Sequence, residues 1–168
     1  GPMVLDGGVY HMYVPLYPAG LLYHPVSLLH GTATSRLGPW TWTNLTGVEV
    51  SFNPGALTYK DSQTGTTHFT LWVSKPDGAT LGKIYTATSA AGPFVEVPNS
   101  NTSGCYINPS PLYHNGTFYC TGQKGTTLMK AEALGGPWTE HSNITHSCED
   151  PFLWVDARDN WHALFHTA

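Results

Sequence analysis

Two short motifs recur in a fixed order along the chain, and they limit its possible folds more than any other feature. The first is an Asn-Pro or Asp-Pro pair that begins at positions 53, 108 and 150. The second is a Gly-Pro-aromatic triplet that begins at positions 38, 92 and 136. The first motif recurs after 55 and 42 residues, and the second after 54 and 44 residues. Because two independent motifs have matching spacings, the sequence predicts an internal repeat.

Each repeat contains the pattern of four short strands separated by turn-forming residues. The second repeat shows it best, with strands predicted at 55–60, 67–74, 83–89 and 92–97. Four strands in each repeat of about 40 to 55 residues predict an all-β protein, a β-propeller of four-stranded blades. An immunoglobulin-like sandwich also has short strands and frequent turns, but it does not account for motifs that recur in order.

The repeat predicts a single, partial propeller domain of about three and a half blades. The expected blade boundaries are approximately 1–50, 51–105, 106–147 and 148–168, and the last blade is incomplete. An open propeller leaves unpaired strand edges. We therefore expect the chain to be a fragment of a longer protein, with the rest of its own propeller or a neighbouring copy closing the open edges.

Composition excludes two classes of partner. The 168 residues include 7 Lys and Arg against 11 Asp and Glu, which gives a net charge of -4. So few cations cannot neutralise a run of phosphates, so nucleic acid is not expected as a partner. No apolar run approaches the roughly 20 residues that a membrane helix needs, so no membrane association is expected.

Cysteines and glycosylation motifs indicate an oxidising compartment. Three cysteines allow at most one disulfide within the chain, and the pairing that we expect is Cys105 with Cys120. Asn-X-Ser/Thr acceptors for N-glycosylation occur at Asn44, Asn101, Asn115 and Asn143. They favour a secreted, extracellular glycoprotein. The alternative is that Asn and Thr simply populate turns.

Two stretches of the chain resemble known propeller enzymes. Residues 1–13 and 31–35 resemble the first blade of glycoside hydrolase family 32, in which Gly-Pro-Met precedes a turn and a Tyr-His pair. The run Glu149-Asp150-Pro151-Phe152-Leu153-Trp154, followed by Asn160-Trp161-His162-Ala163, resembles the beginning of a blade in family 43 proteins. The resemblance implies a five-bladed propeller that binds or cleaves carbohydrate without a cofactor.

The chain departs from this family pattern at two positions. The family aspartate of an Asn-Asp-Pro motif corresponds to a position upstream of Gly1, and Asn53 stands where an Arg-Asp-Pro motif supplies a second carboxylate. We therefore expect the chain alone to be inactive.

The candidate catalytic residues lie at the beginnings of the blades. The first strand of each propeller blade lines the central axis, so Asn53, Asn108, Glu149 and Asp150 are expected at one mouth. Glycoside hydrolysis needs two carboxyl groups. Glu149 is accordingly the candidate general acid, and Asp150 is its candidate partner or a substrate-binding group. The alternative is that one carboxylate caps backbone amides while the other faces solvent.

Four further side chains are candidates for substrate binding. The amides of Asn53 and Asn108 could bind sugar hydroxyls or their own turns. His162 and His166 share one face of a predicted strand, where they could line the mouth, form a metal pair or be ordinary core or surface histidines. No Cys/His metal spacing is present, so no metal is expected.

The tryptophans and one phenylalanine are predicted to pack rather than to bind sugar. Three tryptophans in central strands are expected in the core: Trp72, Trp154 and Trp161. The aromatic residues of the Gly-Pro motifs are expected to pack between blades: Trp40, Trp42, Phe94 and Trp138.

Two functional hypotheses follow. The first is a glycoside hydrolase-like propeller that acts on or binds an extracellular poly- or oligosaccharide, favoured by the Glu149-Asp150 pair. The second is a non-catalytic glycan-binding or structural module of a secreted glycoprotein, favoured by the amides at Asn53 and Asn108 and by the glycosylation acceptors.

Overall fold

A computed structural model describes residues 1–20, 24–49, 52–74, 82–100, 105, 107–122, 127–144 and 149–166. Within these ranges the regular structure consists of β-strands, and no helix that is long and apolar enough to cross a membrane is found there. The strands are Met3–Asp6 (β1), Val9–Leu16 (β2), Ser27–Ala33 (β3), Thr41–Leu45 (β4), Gly55–Lys60 (β5), Thr67–Val73 (β6), Lys83–Ala87 (β7), Val95–Glu96 (β8), Ser110–His114 (β9), Thr117–Thr121 (β10), Thr127–Ala131 (β11), Thr139–Asn143 (β12), Glu149–Val155 (β13) and Trp161–His166 (β14).

The strands form three four-stranded antiparallel sheets and one two-stranded sheet. The sheets follow chain order as β1–β4, β5–β8, β9–β12 and β13–β14, which we call blades 1 to 4. Each predicted blade range contains one of these sheets. The first strands of successive blades contact one another, β1 with β5, β5 with β9 and β9 with β13. This is the arrangement of a partial β-propeller, so the predicted fold class is confirmed.

The Gly-Pro-aromatic motif forms the same turn three times, between the third and fourth strands of blades 1 to 3. The glycine N–H of each motif donates to the carbonyl three residues earlier, at 2.9 to 3.0 Å. Each glycine has a φ between 85° and 92°, a conformation that glycine adopts without steric cost. The following X-Pro bond is cis in all three motifs: Gly38-Pro39, Gly92-Pro93 and Gly136-Pro137.

The hydrophobic core lies between blades. Strand alternation sends neighbouring residues of β6 to opposite faces of blade 2. Leu71 therefore packs with Tyr13 and Leu28 of blade 1, whereas Trp72 packs with Met129 of blade 3. Both Leu71 and Trp72 are fully buried, so the prediction that Trp72 lies in the core is correct.

A disulfide of blade 3 lies in the hydrophobic cluster between blades 2 and 3. Cys105 and Cys120 are bonded, with their Cα atoms 6.0 Å apart, and both side chains are buried in the cluster that contains Trp72. The bond joins the segment before β9 to β10 of the same blade. The third cysteine, Cys148, lies outside the described residues.

The aromatic predictions are partly wrong. Trp154 and Trp161 are 37% and 40% exposed rather than buried. Apolar residues occupy the last five positions of β13, a pattern typical of a strand covered on both faces. Only the face of Leu153 packs against the described chain, so Trp154 on the opposite face stays exposed. Trp161 packs on Tyr119 of blade 3 but remains accessible from one side.

The aromatic residues of the Gly-Pro motifs follow their prediction in two blades. The Trp138 ring of blade 3 lies edge-on to Trp72 of blade 2, with 5.3 Å between centroids. Phe94 of blade 2 lies edge-on to Tyr13 of blade 1, at 5.9 Å. Trp42, by contrast, is 42% exposed and covers Gly31 within its own blade.

Candidate functional site

The beginnings of blades 1 to 4 line one cleft of about 600 Å³. This volume is in the range of small-molecule sites, roughly 300 to 1,000 Å³. The polar side chains in its lining include Asn53, Asn108 and Asp150, and its apolar wall includes Met3 and the ring of Phe152. Among the described residues of the lining, Asp150 is the one charged side chain, and no Glu, Lys or Arg is present.

Close backbone contacts bring the blade beginnings together. A Cβ atom at Gly55 would collide with the carbonyl oxygen of Pro109, so only glycine allows β5 to approach blade 3 this closely. On the other side of blade 3, the Ser110 hydroxyl accepts a 2.8 Å hydrogen bond from the backbone N–H of Leu153. These contacts fix the lining segments of blades 2, 3 and 4 relative to one another.

Asn108 and Asp150 share an unusual backbone conformation. Their φ angles are 48° and 50°, in the left-handed region that non-glycine residues rarely adopt. Both residues precede a proline, which normally restricts the preceding residue to extended conformations. Such conformations cost about 1 to 3 kcal/mol each and are concentrated at functional sites. The result here is a contact between blades, in which Asn108 Nδ2 donates to Asp150 Oδ1 at 2.5 Å.

A break in strand pairing brings both candidate carboxylates to one side. The register of β13 with β14 shifts between Glu149 and Phe152, so alternation does not separate Glu149 from Asp150. Asp150 Oδ2 lies 3.3 Å from His166 Nε2, and Glu149 Oε2 lies 3.9 Å from His166 Nδ1. Glu149 is not among the residues that line the cleft, but its partly buried side chain lies beside Asp150, which is.

His162 lies at the opposite end of the β13–β14 hairpin from His166. Its Nε2 is 3.2 Å from Asp156 Oδ2, and its ring stacks on Trp154 at 4.9 Å. Hydrogen bonds from the side chain and the backbone of Asn160 hold the pKa of Asp156 well below its usual range. The two histidines are four positions apart on the strand, which separates them by roughly 13 Å. Among the described side chains, no group of three or more His, Cys, Asp or Glu could hold a metal ion.

Three of the four glycosylation acceptors lie within the described residues, and all three are exposed. Asn44 is on β4 and Asn143 on β12, the outermost strands of blades 1 and 3. Asn115 is in the turn between β9 and β10, where its Nδ2 is 2.9 Å from His114 Nε2. Asn101 lies outside the described part of the chain.

Sequence reasoning missed two residues with structural or site roles. Asp6 ends β1 at a hairpin turn, and its Oδ2 accepts hydrogen bonds from Ala90 N at 3.0 Å and Ser89 Oγ at 3.3 Å, which join blades 1 and 2. Phe152 lies in the apolar run of β13, yet it is 61% exposed and lines the cleft. Nothing local in the sequence marks Asp6, whereas the proximity of Phe152 to Asp150 is a usable signal.

A buried pair of histidines lies on blade 1 and is not part of the cleft lining. His11 Nδ1 is 2.8 Å from His30 Nε2, and Tyr13 stacks on His30. Burial lowers the pKa of both imidazoles, against a smaller raising effect of Asp6 on His11, while His11 lowers the pKa of His30 further.

No protein-family model matches the sequence, and a search of the curated proteins gives no match. Solved structures with the same fold are numerous, and three represent them. An exo-beta-1,3-galactanase from Phanerochaete chrysosporium has a TM-score of 0.70 and 18% identity, over 95% of this chain and 40% of that one. A family 117 glycoside hydrolase from Zobellia galactanivorans has a TM-score of 0.68 and 18% identity, over 91% of this chain and 48% of that one. A xylan beta-1,4-xylosidase from Bacillus halodurans has a TM-score of 0.64 and 14% identity, over 96% of this chain and 35% of that one.

These similarities concern the fold. The chain has the β-propeller fold of family 43-like glycoside hydrolases. It spans less than half the length of the three structures described above.

Proposed function

We propose that the chain forms part of a glycoside hydrolase-like propeller whose cleft binds a neutral poly- or oligosaccharide outside the cell. The observation that carries the proposal is the convergence of Asn53, Asn108 and Asp150 with the exposed ring of Phe152 in one cleft. Amide and carboxylate groups suit sugar hydroxyls, and an aromatic ring suits the apolar face of a pyranose. A cleft with one carboxylate and without Lys or Arg among its described residues disfavours sulfated or uronate sugars.

For hydrolysis, Glu149 is the proposed general acid. The reaction needs one carboxyl group that protonates the leaving oxygen and a second that attacks or activates water. Glu149 lies beside Asp150 and within reach of His166, so a sugar held by Asp150 lies close to its carboxyl group. The second catalytic group is an aspartate of the Asn-Asp-Pro motif, which the family resemblance puts upstream of Gly1.

A non-catalytic glycan-binding module is the second candidate. Asn53 supports it, because an exposed amide lines the cleft where the family pattern has a carboxylate. Both candidates share the sugar-binding cleft, so binding tests the common part and turnover separates them.

The test uses the full-length protein with a panel of neutral and uronate oligosaccharides and the matching aryl-glycosides. Binding is measured by calorimetry and hydrolysis by release of the aryl group. For an active enzyme, Glu149→Gln is expected to lower kcat by at least about 100-fold, the usual contribution of a general acid. Glu140→Gln, which alters an exposed glutamate on β12, is the matched control.

The outcomes separate a catalytic from a non-catalytic propeller and test the role of Glu149. Binding without hydrolysis identifies the non-catalytic module, and hydrolysis that survives Glu149→Gln removes that residue from its role. A protein that binds no sugar of the panel contradicts the proposal as a whole.

A further inference from the structure

We infer that Asn108 is a positioning residue, which holds the carboxylate of Asp150 in the orientation that the cleft presents to a sugar. This role rests on the proposed sugar-binding function. It differs from direct sugar binding by Asn108, because the Asn108 amide binds a carboxylate of the neighbouring blade instead of the sugar.

The first argument is the pattern of contacts around Asp150. Oδ1 accepts a hydrogen bond from Asn108 Nδ2, and Oδ2 lies 3.3 Å from His166 Nε2. One oxygen is therefore held from blade 3 and the other from within blade 4. An ionised carboxylate has about four acceptor positions, so lone pairs remain on both oxygens for sugar hydroxyls.

The second argument is exposure. The Asp150 side chain is 52% exposed and lies at the surface of the cleft. A carboxylate this accessible would sample several rotamers in water, and sugar binding would then have to order it at an entropic cost. A hydrogen bond from an adjacent blade orders the group before the sugar arrives.

The third argument is the backbone. Asn108 and Asp150 have nearly equal left-handed φ angles immediately before proline, at the beginnings of adjacent blades. Either residue in an extended conformation would direct its side chain elsewhere. The donor and the acceptor of this hydrogen bond therefore both have an unfavourable backbone conformation, and that conformation brings their side chains together.

The first experiment is a double-mutant cycle on sugar affinity in the full-length protein. Asn108→Ala and Asp150→Ala are each expected to weaken binding about tenfold, the effect of one lost polar contact. The double variant is expected to bind no more weakly than Asp150→Ala alone, because Asn108 acts through Asp150. Asn53→Ala, at the equivalent position of blade 2, is the matched control, and its loss is expected to add to that of Asp150→Ala.

The second experiment exchanges the two side chains. Asn108→Asp combined with Asp150→Asn keeps a donor opposite an acceptor but moves the carboxylate to blade 3. The exchange is expected to restore the thermal midpoint that Asn108→Asp alone lowers, without restoring sugar affinity. A merely structural pair would recover both properties.

The two proposals fail separately. A wild-type protein that binds no sugar refutes the proposed function. Sugar binding with additive losses at 108 and 150, or affinity recovered by the exchange, refutes the positioning role alone.

Discussion

Single side chains hold adjacent blades together at several points of this propeller. Asp6 bonds the backbone of Ala90, the Tyr13 hydroxyl donates to the carbonyl of the same residue, and Ser110 binds the N–H of Leu153. Each contact satisfies a polar group that packing between sheets would otherwise leave without water. The sequence gives no sign of these partners, because each pair is more than 40 residues apart and depends on the relative position of two sheets.

The buried histidine pair is expected to make stability depend on pH. Burial lowers the pKa of His11 and His30 in the folded state, so the unfolded chain binds more protons around its own pKa of about 6.5. Stability is therefore full at higher pH and falls as the pH drops through 6.5. The slope is at most about 1.4 kcal/mol per pH unit for each imidazole.

The measurement is denaturant unfolding between pH 5 and 8, for the wild type and for a His11→Asn, His30→Asn double variant. All other ionisable groups are the same in both proteins, so the difference between the two curves isolates the pair. A difference that does not change with pH would contradict the prediction.

At the scale of strands, the repeated motifs are what made the fold predictable. The Gly-Pro turn needs a glycine with positive φ, and the beginning of a blade needs a residue that ends a loop before the first strand. Both requirements produce sequence motifs that recur along the chain. No sequence motif indicates the left-handed φ at Asn108 and Asp150 or the pairing shift in β13. Sequence reasoning could therefore propose which residues meet but not that Asn108 binds Asp150 or that both carboxylates approach His166.

Glycine at position 55 is expected to be required for the cleft. Gly55→Ala puts a methyl group against the carbonyl of Pro109, so β5 and β9 must separate. We expect a loss of about 1 to 3 kcal/mol of stability, typical of overpacking, together with weaker sugar binding. Thr58→Ala, at an exposed position of the same strand, is the control for chemical denaturation and calorimetry. Unchanged stability in Gly55→Ala would show that the blades do not approach this closely.

Glycans are expected on the outermost strands. Asn44 lies on β4 and pairs with Leu29 of β3, whereas Asn143 ends β12 and pairs with Thr127 of β11. Both acceptors are exposed on an outer edge strand. A glycan there would hinder edge-to-edge association of strands. After expression in a secretory eukaryotic host, glycopeptide mass spectrometry is expected to find both sites occupied. Asn44→Gln and Asn143→Gln should each remove one glycan, and unmodified peptides from secreted protein would contradict the prediction.

At the scale of the whole molecule, the four sheets differ in how well they are covered. Blade 2 is covered on both faces, by blade 1 through Leu71 and by blade 3 through Trp72. Among the described residues, blade 4 is covered on one face, by blade 3 through Leu153. The sequence predicted successive sheets around an axis but not which of their faces would be covered, because an apolar strand looks the same whether one or both faces have a neighbour.

The exposed face of blade 4 is expected to make residues 1–168 self-associate when they are produced alone. Phe152 pairs across the strands with Leu164, and Trp154 with His162, so large apolar side chains lie together on a face that the described chain leaves open. Contiguous apolar surface of this kind drives association in water. Sedimentation velocity over a tenfold concentration range is expected to show a shift toward larger species. Trp154→Gln combined with Leu164→Gln leaves the cleft lining unaltered and should reduce the shift, whereas Lys130→Gln, a change of charge on blade 3, should not. If the unaltered chain stays monomeric throughout that range, this face does not drive self-association, and closure of the propeller is not needed to keep the chain soluble.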